Sequence, residues 1–419
     1  MAARWFCVQL GAREHYAIPR ALREQGQLKS LVTDAWADMT NPLRLLHRQL
    51  RERYHPELAG ADVRAWTVGL AAFEFAARAR RRSGWPLVIA RNDWFQSRVA
   101  QHLASLPDSD NRDGKPVLFS YSYTALAPFR VARQRGWTRV LGQIDAGPTE
   151  ERIVAELHDR HPQHADGWLP APAKYWTAWR QECDLADAII VNSPWSYDAL
   201  RAEGIPHEKI TVVPLAYTPP PETPGRNRAY PRSFSKQRPL RVLFLGQMIL
   251  RKGVHDLVRA ARCMENDPVV FDVVGGHGHP SYAPPGNLTF HGAVPRGEAS
   301  QWYENADLFV LPTHSDGFAL TQLEAMAHGL PVIATPRCGA VVEPGRTGWI
   351  VEPGNPRQLA DVLCEAISSP SLLAQMSVQA AVRAGEFSTT RLGQRLMQLT
   401  TSPEKVSIQV PSPSGRGLG

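Results

Sequence analysis

The 419-residue sequence has no apolar run close to the roughly 20 residues that a membrane-spanning helix needs. Its first residues, MAARWFCVQLGAREHY, also lack the apolar segment of a signal peptide and instead predict a buried strand. The five cysteines lie far apart among apolar neighbours and form no CxxC pair. This pattern argues against a disulfide framework and a cysteine zinc site, and it favours packed thiols in a reducing compartment. We therefore expect a cytoplasmic protein.

Motifs of nucleic-acid binding are missing too, since there is no zinc finger, RNP-like aromatic strand or recognisable helix-turn-helix. We predict no nucleic-acid partner, although the formal net charge is +7. Within residues 41–82, nine arginines stand against four acidic residues, and basic and apolar residues recur there at helical spacing. Two interpretations stay open: a solvated helix face, which we favour slightly, or peripheral contact with an anionic membrane surface.

Short apolar runs alternate with helical patterns along most of the chain. The predicted strands are 5–10, 30–34, 86–90, 116–122, 138–144, 187–193 and 210–216 in the first half, then 240–246, 269–275, 288–290, 307–313, 331–335 and 349–351. Strands that are apolar on both faces and separated by helices indicate parallel sheets covered on both sides.

The length and a break in the pattern predict two domains. Residues 218–238 are rich in proline and basic residues and form the predicted linker between an N-terminal domain, 1–217, and a C-terminal domain, 239–386. We predict an α/β protein of two Rossmann-like domains facing a cleft. A helix at 387–401 should cross back onto the N-terminal domain, and 402–419 should be a disordered tail. Ligands of such sheets bind at the carboxyl ends of the strands, which places the site in the cleft.

The stretch SDGFALTQLEAMAHGLPVIAT, residues 315–335, runs from a loop into a helix and then a strand. The helix should begin near Ala319 or Leu320, and its first amide groups are suited to a phosphate. Asp316 precedes the helix, whereas Glu324 lies one turn inside it and leans back toward the same end. The two acids can therefore bind hydroxyls on either side of a phosphate, as in a molecule with a sugar, a diphosphate and a ribose.

A second signal is LFLGQMILRKGVHDLVRAA, residues 243–261. The strand ends at Gly246, and Lys252-Gly253 leads into the next helix. A lysine there can meet diphosphate oxygens as a point charge. The order of residues differs from the phosphate loop GxxxxGK[ST], which excludes that class of nucleotide site.

Both stretches resemble motifs of the family-4 glycosyltransferases, which have the GT-B fold. The two acids with seven residues between them are similar to the family's E-x7-E region, and LFLGQMILRKG is similar to its diphosphate motif. NLTFHGAVP, ADLFVLP, GRTGWIVEPGNPRQLADVL and ADAIIVNSPWSYDAL followed by ITVVPLA occur in the family's order. The resemblance is strong from about residue 183 to 390 and thin before that.

The resemblance implies a retaining enzyme that moves a sugar from a nucleotide-diphosphate donor to a hydroxyl acceptor, such as a glycan, a lipid-linked glycan or a small molecule, without a metal or other cofactor. It assigns the sugar hydroxyls to Asp316, the leaving phosphate to Lys252 and the ribose to Glu324. The donor-binding residues it implies are Gly246, Gln247, Arg251, Lys252, Asp316, Gly317, Phe318, Ala319, Leu320 and Glu324.

Two positions depart from the family pattern. Asp316 replaces a glutamate, and Gln247 replaces an arginine, so that one phosphate-balancing charge is missing. We hypothesise that Arg251 supplies this charge from the other side of the loop. The departures also keep open a non-catalytic nucleotide-sugar-binding scaffold, and the fold alone keeps open a sugar-nucleotide epimerase or a phosphorylase.

The N-terminal domain should bind the acceptor. The loop that follows the first strand, GAREHYAIP, offers Gly11, Arg13, Glu14 and His15 to the cleft, and a surface loop is an equal alternative. Where the family often carries a cleft histidine, TRVLGQIDAGP has Gln143 and Asp145 instead, and we take Asp145 as the candidate for ordering the acceptor or the sugar.

Three further stretches carry weaker signals. His158, His161 and His164 of HDRHPQH are interrupted by Pro162 and are expected to form a wet surface cluster rather than a metal site. The run GGHGHP, 275–280, lacks the G-x-G-x-x-G order and should turn behind the donor pocket. The aromatic run 168–182 should form core and cleft wall, with stacking on a sugar ring as the alternative.

Overall fold

The computed structural model of the protein describes residues 3–41, 48–107, 114–164, 167–219, 228–276 and 284–401. The predicted tail 402–419, residues 220–227 of the predicted linker and most of the run 275–280 lie outside the described residues. So does part of the basic stretch 41–82, including Arg44. None of the described helices is long and apolar enough to cross a membrane.

The N-terminal domain is built on a seven-stranded sheet of order β3-β2-β1-β4-β5-β6-β7, in which all neighbours are parallel. Its strands are β1 Arg4–Gln9, β2 Leu28–Thr33, β3 Val63–Ala65, β4 Pro116–Tyr121, β5 Thr138–Gly142, β6 Ala188–Val191 and β7 Ile210–Val212. Its helices are α1 Ala17–Glu24, α2 Arg48–Arg51, α3 Thr67–Ala79, α4 Gly84–Ser105, α5 Leu126–Gln134, α6 Pro148–Arg160, α7 Ala173–Leu185 and α8 Pro194–Ala202.

Alternate residues of β1 show why this sheet is covered on both faces. Phe6 and Val8 pack into one apolar cluster, and Trp5 and Cys7 pack into another on the opposite face. Successive side chains of a strand point to opposite faces, so a strand that is apolar throughout needs a layer of helices on each side.

The C-terminal domain repeats the plan with a six-stranded parallel sheet of order β10-β9-β8-β11-β12-β13. Its strands are β8 Leu240–Leu245, β9 Val269–Val274, β10 Leu288–Gly292, β11 Leu308–Leu311, β12 Val332–Ala334 and β13 Gly348–Ile350. Its helices are α9 Val254–Cys263, α10 Ala299–Asn305, α11 Thr321–Ala327, α12 Pro356–Ser368 and α13 Pro370–Ala384. The predicted architecture of two Rossmann-like domains is confirmed.

The last helix, α14 Thr389–Thr401, crosses back onto the N-terminal domain as predicted. Leu392 and Leu396 are buried in the same apolar cluster as Leu22 of α1. Close approach of the two helices is possible because Gly393 has no side chain: a Cβ there would lie 3.0 Å from the Ala21 carbonyl oxygen.

Three predictions were wrong in detail. Residues 86–90, predicted as a strand, lie in α4, because a short apolar run at the start of a long helix looks the same as a buried strand. The strand missed in that region is β3, which has only three residues. Cys263 and Cys364 are exposed rather than packed, whereas the other three cysteines are buried.

The second half of the predicted linker is held against the C-terminal domain. The Arg228 guanidinium donates hydrogen bonds to the carbonyl oxygens of Tyr303, Ala306 and His328, and Phe234 is buried in the core of this domain. A charged group surrounded by backbone carbonyls fixes the chain without needing regular secondary structure. Residues 228–238 therefore form an ordered part of the C-terminal domain surface.

Candidate functional site

A cavity of about 330 Å³ opens between the carboxyl ends of the two sheets. Its walls come from both domains, as expected for a cleft between facing parallel sheets. The residues that line it are Arg13, Glu14, Ile144, Asn192 and Leu215 on the N-terminal side and Leu245, Gly246, Lys252, Leu311, Asp316, Phe318, Ala319, Leu320 and Thr321 on the C-terminal side. We call it the donor cavity because it contains most of the residues predicted to bind the donor.

Lys252 and Asp316 form an ion pair in the donor cavity, with side chains that are 14% and 15% exposed. Burial would raise the pKa of Asp316, but the charges of Lys252 and Arg251 outweigh it and hold this pKa below its usual value. The Asp316 carboxyl group is thus ionised near neutral pH. An anionic ligand that reaches Lys252 must share the ammonium group with this carboxylate.

The backbone turn at Gly253 positions Lys252. Gly253 has φ +72°, and a Cβ there would lie 1.9 Å from the carbonyl oxygen of Pro312, at the end of β11. Only glycine permits both this left-handed conformation and this close approach. The Lys-Gly pair therefore brings the lysine to the carboxyl end of the sheet, beside the loop that carries Asp316.

The loop between β11 and α11 has a second tight contact and a strained residue. A Cβ at Gly317 would lie 2.3 Å from the carbonyl oxygen of Ile144, which belongs to the other domain. Ala319 has φ +59°, an uncommon conformation for a residue with a side chain. The backbone amide of Phe318 bonds the Asp316 carboxylate, so in this structure it is directed at the acid. The helix begins at Thr321, slightly later than predicted.

Four predicted donor residues, Gln247, Arg251, Gly317 and Glu324, lie outside the lining of the donor cavity. Glu324 is half-buried one turn into α11, and its Oε2 accepts a hydrogen bond of 2.8 Å from the Tyr303 hydroxyl. Gln247 is exposed just after Gly246. Neither belongs to the lining of the donor cavity.

Arg251 faces a different direction from the one we hypothesised. It donates a hydrogen bond of 2.6 Å to the Ser315 carbonyl oxygen and lies 3.5 Å from Glu150 Oε1 of the N-terminal domain. Burial raises the pKa of Glu150 to about 7, although the Arg251 charge opposes the effect. Arg251 acts electrostatically on Asp316 but does not line the donor cavity. It lines a second cavity instead.

This second cavity, of about 340 Å³, we call the aromatic cavity. Its lining consists of Trp85, Tyr123, Trp168, Tyr175 and Trp176 with Asp145, Gly147, Glu150, Glu151, Val154, His158, Ile249, Leu250 and Arg251. Asp145 Oδ1 accepts three hydrogen bonds, from the Tyr123 hydroxyl, the Gln143 amide and the Gly147 backbone. The aromatic run 168–182 therefore supplies cleft wall through Trp168, Tyr175 and Trp176, and core through Trp179.

The loop after β1 is held in an unusual conformation beside the donor cavity. Glu14, His15 and Tyr16 all have φ between 52° and 59°. The Tyr121 hydroxyl donates a hydrogen bond of 2.8 Å to Glu14, and Arg13 lies over the Tyr121 ring. Three successive left-handed residues are rare, and such strain clusters at ligand-binding loops.

Of the acceptor-side residues predicted, Arg13 and Glu14 line the donor cavity and Asp145 lines the aromatic cavity. Gly11 has φ +83°, and its amide donates to Asp34. His15 forms no part of either lining. The sequence analysis missed Asn192, although its position one residue after β6 was a usable signal because strand ends meet at the cleft.

A chain of hydrogen bonds joins the two domains next to Asp316. Trp195 Nε1 donates to Ser315 Oγ at 3.0 Å, and Ser315 Oγ donates to Glu150 Oε2 at 2.7 Å. Trp195 and Glu150 belong to the N-terminal domain. Their roles were not predicted, since a helix-start acid and a surface tryptophan carry no local signal of a contact across the cleft.

Solved structures of very different sequence share the whole architecture. Anabaena Alr3699/HepE in complex with UDP-glucose is 17% identical, with a TM-score of 0.58 over 95% of this chain and 99% of that one. Sucrose-phosphate synthase from Thermosynechococcus elongatus is 16% identical, with a TM-score of 0.61 over 96% and 98%. The fold is GT-B.

Within the GT-B chain, residues 239–369 match the family model described as "Glycosyl transferases group 1". The D-inositol 3-phosphate glycosyltransferase of Thermobispora bispora is 29% identical over 280 residues, which are 59% of this chain and 63% of that protein. The protein of the same name from Xylanimonas cellulosilytica is 24% identical over 88% of this chain and 86% of its own length. The chain thus spans less than two thirds of the T. bispora relative, and the match to the family model lies in the C-terminal domain.

Proposed function

We propose that the protein transfers a sugar from a nucleoside-diphosphate sugar to a hydroxyl of an acceptor bound across the cleft. The observation that carries this proposal is the donor cavity, where Lys252 and Asp316 meet at the carboxyl ends of the strands, inside the segment that matches the glycosyl transferase family model. The similarity to a protein solved with UDP-glucose favours a uridine nucleotide.

The chemistry requires positive charge at the leaving group. When the anomeric C–O bond breaks, its electron pair stays on the diphosphate oxygen, and fixed donors directed at that oxygen lower the barrier. Lys252 is the cation of the donor cavity that belongs to the C-terminal domain, and the loop 319–321 lines the same space. We assign the diphosphate to these groups, the sugar hydroxyls to Asp316 and the ribose to Glu324.

We further propose that no divalent cation is needed at the diphosphate, because Lys252 supplies a charge there. Retention of the anomeric configuration rests on the resemblance of residues 315–335 to the E-x7-E region. Proton NMR of the fresh product tests retention through the anomeric coupling constant. Turnover in buffer without Mg²⁺ and Mn²⁺ tests whether the diphosphate needs a divalent cation. Strict dependence on either ion would contradict our proposal that it does not.

The aromatic cavity is our candidate for the acceptor, and its chemistry favours a neutral carbohydrate. Aromatic rings offer stacking faces to a sugar. Two carboxylates in the lining, Asp145 and Glu151, would repel a phosphorylated acceptor, and the nearby Arg251 is already engaged by Glu150. Acceptance of inositol 3-phosphate, which the names of the relatives attribute to those proteins, is therefore not expected here.

Two measurements test the transferase and its acceptor. A thermal-shift screen of UDP- and GDP-sugars identifies the donor, because a ligand at a hundredfold its Kd stabilises a protein by about 2.7 kcal/mol. Slow release of free sugar from that donor without acceptor supports a transferase, whereas tight binding with no turnover supports a scaffold.

Tyr175→Ala should raise the acceptor KM about tenfold and leave the donor Kd unchanged. If Tyr175→Ala and the wild type had equal acceptor KM values, the aromatic cavity would not be the acceptor site.

We also propose that helix α3 contacts an anionic membrane. Val68 and Phe75, seven residues apart on one face of α3, are 77% and 76% exposed. Arg78, Arg80, Arg81 and Arg82 follow them and are exposed. An exposed apolar face beside a basic cluster is typical of helices that lie in the membrane interface.

Vesicle pelleting tests this contact. The wild type should pellet with phosphatidylserine-containing vesicles but not with phosphatidylcholine alone. The quadruple variant with glutamine at 78, 80, 81 and 82 should lose most of this binding, as should Phe75→Ser. A matched control, Arg201→Gln, removes an arginine from the exposed side of α8. Unchanged pelleting of the quadruple variant would contradict membrane contact and would leave the solvated helix face as the interpretation of this basic stretch.

A further inference from the structure

A cluster of histidines with one aspartate lies behind the donor cavity. His255 and Asp256 are in the first turn of α9, and His314 lies in the loop after β11, two residues before Asp316. All three are buried, with 6%, 3% and 6% exposure, and each offers one ligand atom within 4.8 Å of the others. None of them lines the donor cavity or the aromatic cavity.

Hydrogen bonds among the described residues do not explain why the polar ring of His255 is buried. Neither of its ring nitrogens has a hydrogen-bond partner among the described residues, although the side chain is buried. An unsatisfied buried polar group is costly, and each such group in a native structure calls for an explanation.

Two distances between ligand atoms bracket the separation expected in a tetrahedral zinc site. With metal–ligand bonds of about 2.0 to 2.1 Å, neighbouring ligand atoms lie roughly 3.3 Å apart. Asp256 Oδ2 is 3.4 Å from His255 Nε2 and 2.7 Å from His314 Nε2. The shorter distance is that of a hydrogen bond, and replacing its proton by a metal would lengthen it by about 0.6 Å. One carboxylate oxygen thus faces both imidazoles.

The N-terminal domain contributes a further imidazole at the same place. The ring of His161, at the end of α6, lies 4.6 Å from that of His255, and the rings of His255 and His314 are 5.3 Å apart. Two imidazoles on one tetrahedral zinc have ring centres roughly 5 Å apart. The run HDRHPQH was expected to form only a wet surface cluster; its middle histidine instead packs against a buried residue of the other domain.

We propose that His255, Asp256 and His314, together with His161, bind one Zn²⁺ ion that joins the two domains. Three protein nitrogens and one carboxylate oxygen are a ligand set that zinc accepts with four-coordinate geometry. Arg259, whose charge acts on His161 and Asp256, is exposed, so that water and salt screen its repulsion of the ion.

The ion would have a structural role, distinct from the chemistry in the donor cavity. It would fix the start of the loop that carries Asp316 against the end of α6. Because the ligands lie outside both cavities, zinc would not touch a bound diphosphate. The proposal is also independent of the proposed function, since its test needs no sugar or nucleotide.

The test uses the full-length protein stripped with a chelator, dialysed and titrated with Zn²⁺ against a zinc indicator. The wild type should bind one equivalent with an apparent Kd below about 1 μM. His255→Asn should weaken binding by more than about 100-fold, since even partners of zinc ligands cost 10- to 100-fold when mutated. His207→Asn, at a histidine whose side chain is 70% exposed, is the matched control and should bind like the wild type.

His161→Asn tests the link between the domains and changes a partly exposed residue that the fold can spare. It should weaken zinc binding at least about tenfold. With Co²⁺ in place of Zn²⁺, it should also reduce the intense visible bands of four-coordinate cobalt. Wild-type affinity and an unchanged cobalt spectrum in His161→Asn would overturn the link. Failure of the wild type to bind one equivalent, or equal binding by a His255→Asn variant with native circular dichroism, would overturn the site itself.

Discussion

Gly317→Ala should uncouple the two domains of the cleft with a single methyl group. The new Cβ would lie 2.3 Å from the Ile144 carbonyl oxygen and 3.2 Å from its carbon, whereas ordinary contacts begin near 3.4 Å. Both partners are backbone, so neither can rotate away, and the domains must separate by about 1 Å at this point. A displacement of this size costs on the order of 10²-fold in kcat/KM, or about 2.7 kcal/mol.

The assay compares transfer with donor binding. We expect kcat/KM to fall about 100-fold, while the donor Kd measured by calorimetry changes much less, because Lys252 and the loop 319–321 move together with the C-terminal domain. Gly286→Ala is the control, since a Cβ at Gly286 meets nothing within 4 Å. If Gly317→Ala kept wild-type kcat/KM, the contact at Ile144 would not set the working separation of the domains, and the reasoning would be refuted.

Three further predictions concern two residues close to this contact, Lys252 and Ser315, and one buried acid of the N-terminal domain, Glu182. Lys252→Met should weaken donor binding about 10- to 100-fold, because hydrogen bonds to charged groups contribute about 1.5–3 kcal/mol; an unchanged calorimetric Kd would exclude Lys252 from the diphosphate site. Ser315→Ala should lower the free energy of unfolding in urea by about 1–3 kcal/mol, because buried Glu150 loses a hydrogen-bond donor; equal midpoints and slopes would contradict this. Burial raises the pKa of Glu182 from 4.5 to about 7 despite three opposing backbone N–H groups. The folded chain then keeps a proton that the unfolded chain releases, so the stability of the wild type relative to Glu182→Gln should fall by up to about 3 kcal/mol as the pH rises from about 4.5 to 7. Parallel stability curves would argue against the raised pKa.

The arrangement of sheets was predictable because it depends on short-range patterns. An apolar run followed by a helix identifies a parallel strand almost regardless of context, and most of the predicted strands lie within a residue or two of the observed ones. The prediction at 86–90 was wrong because the local pattern there fits both a strand and a helix. In α4 the run PLVIA is followed by polar residues at helical spacing, and only tertiary packing decides which pattern governs the segment.

The site was predictable on the C-terminal side for a similar reason. Lys252 and Asp316 each lie in a loop that directly follows a strand, and strand ends meet at the cleft. The direction of Arg251 was not predictable, since its partner Glu150 is 101 positions away in the sequence and lies in the other domain. The strained loop at Glu14 likewise has no sequence signal, because nothing local favours three consecutive left-handed residues.

The loop 314–318 unites these observations, because it contributes to the donor cavity and contacts the N-terminal domain within five consecutive residues. Asp316 faces the donor cavity, while its neighbours Ser315 and Gly317 touch the N-terminal domain at Glu150 and Ile144. A ligand that moves Asp316 must therefore strain or relax the contacts on either side of it. Coupling of this kind is reciprocal, so a bound ligand changes the equilibrium of cleft closure by as much as closure changes the affinity for that ligand. The small change in donor Kd expected for Gly317→Ala therefore corresponds to weak coupling between donor binding and the separation of the domains.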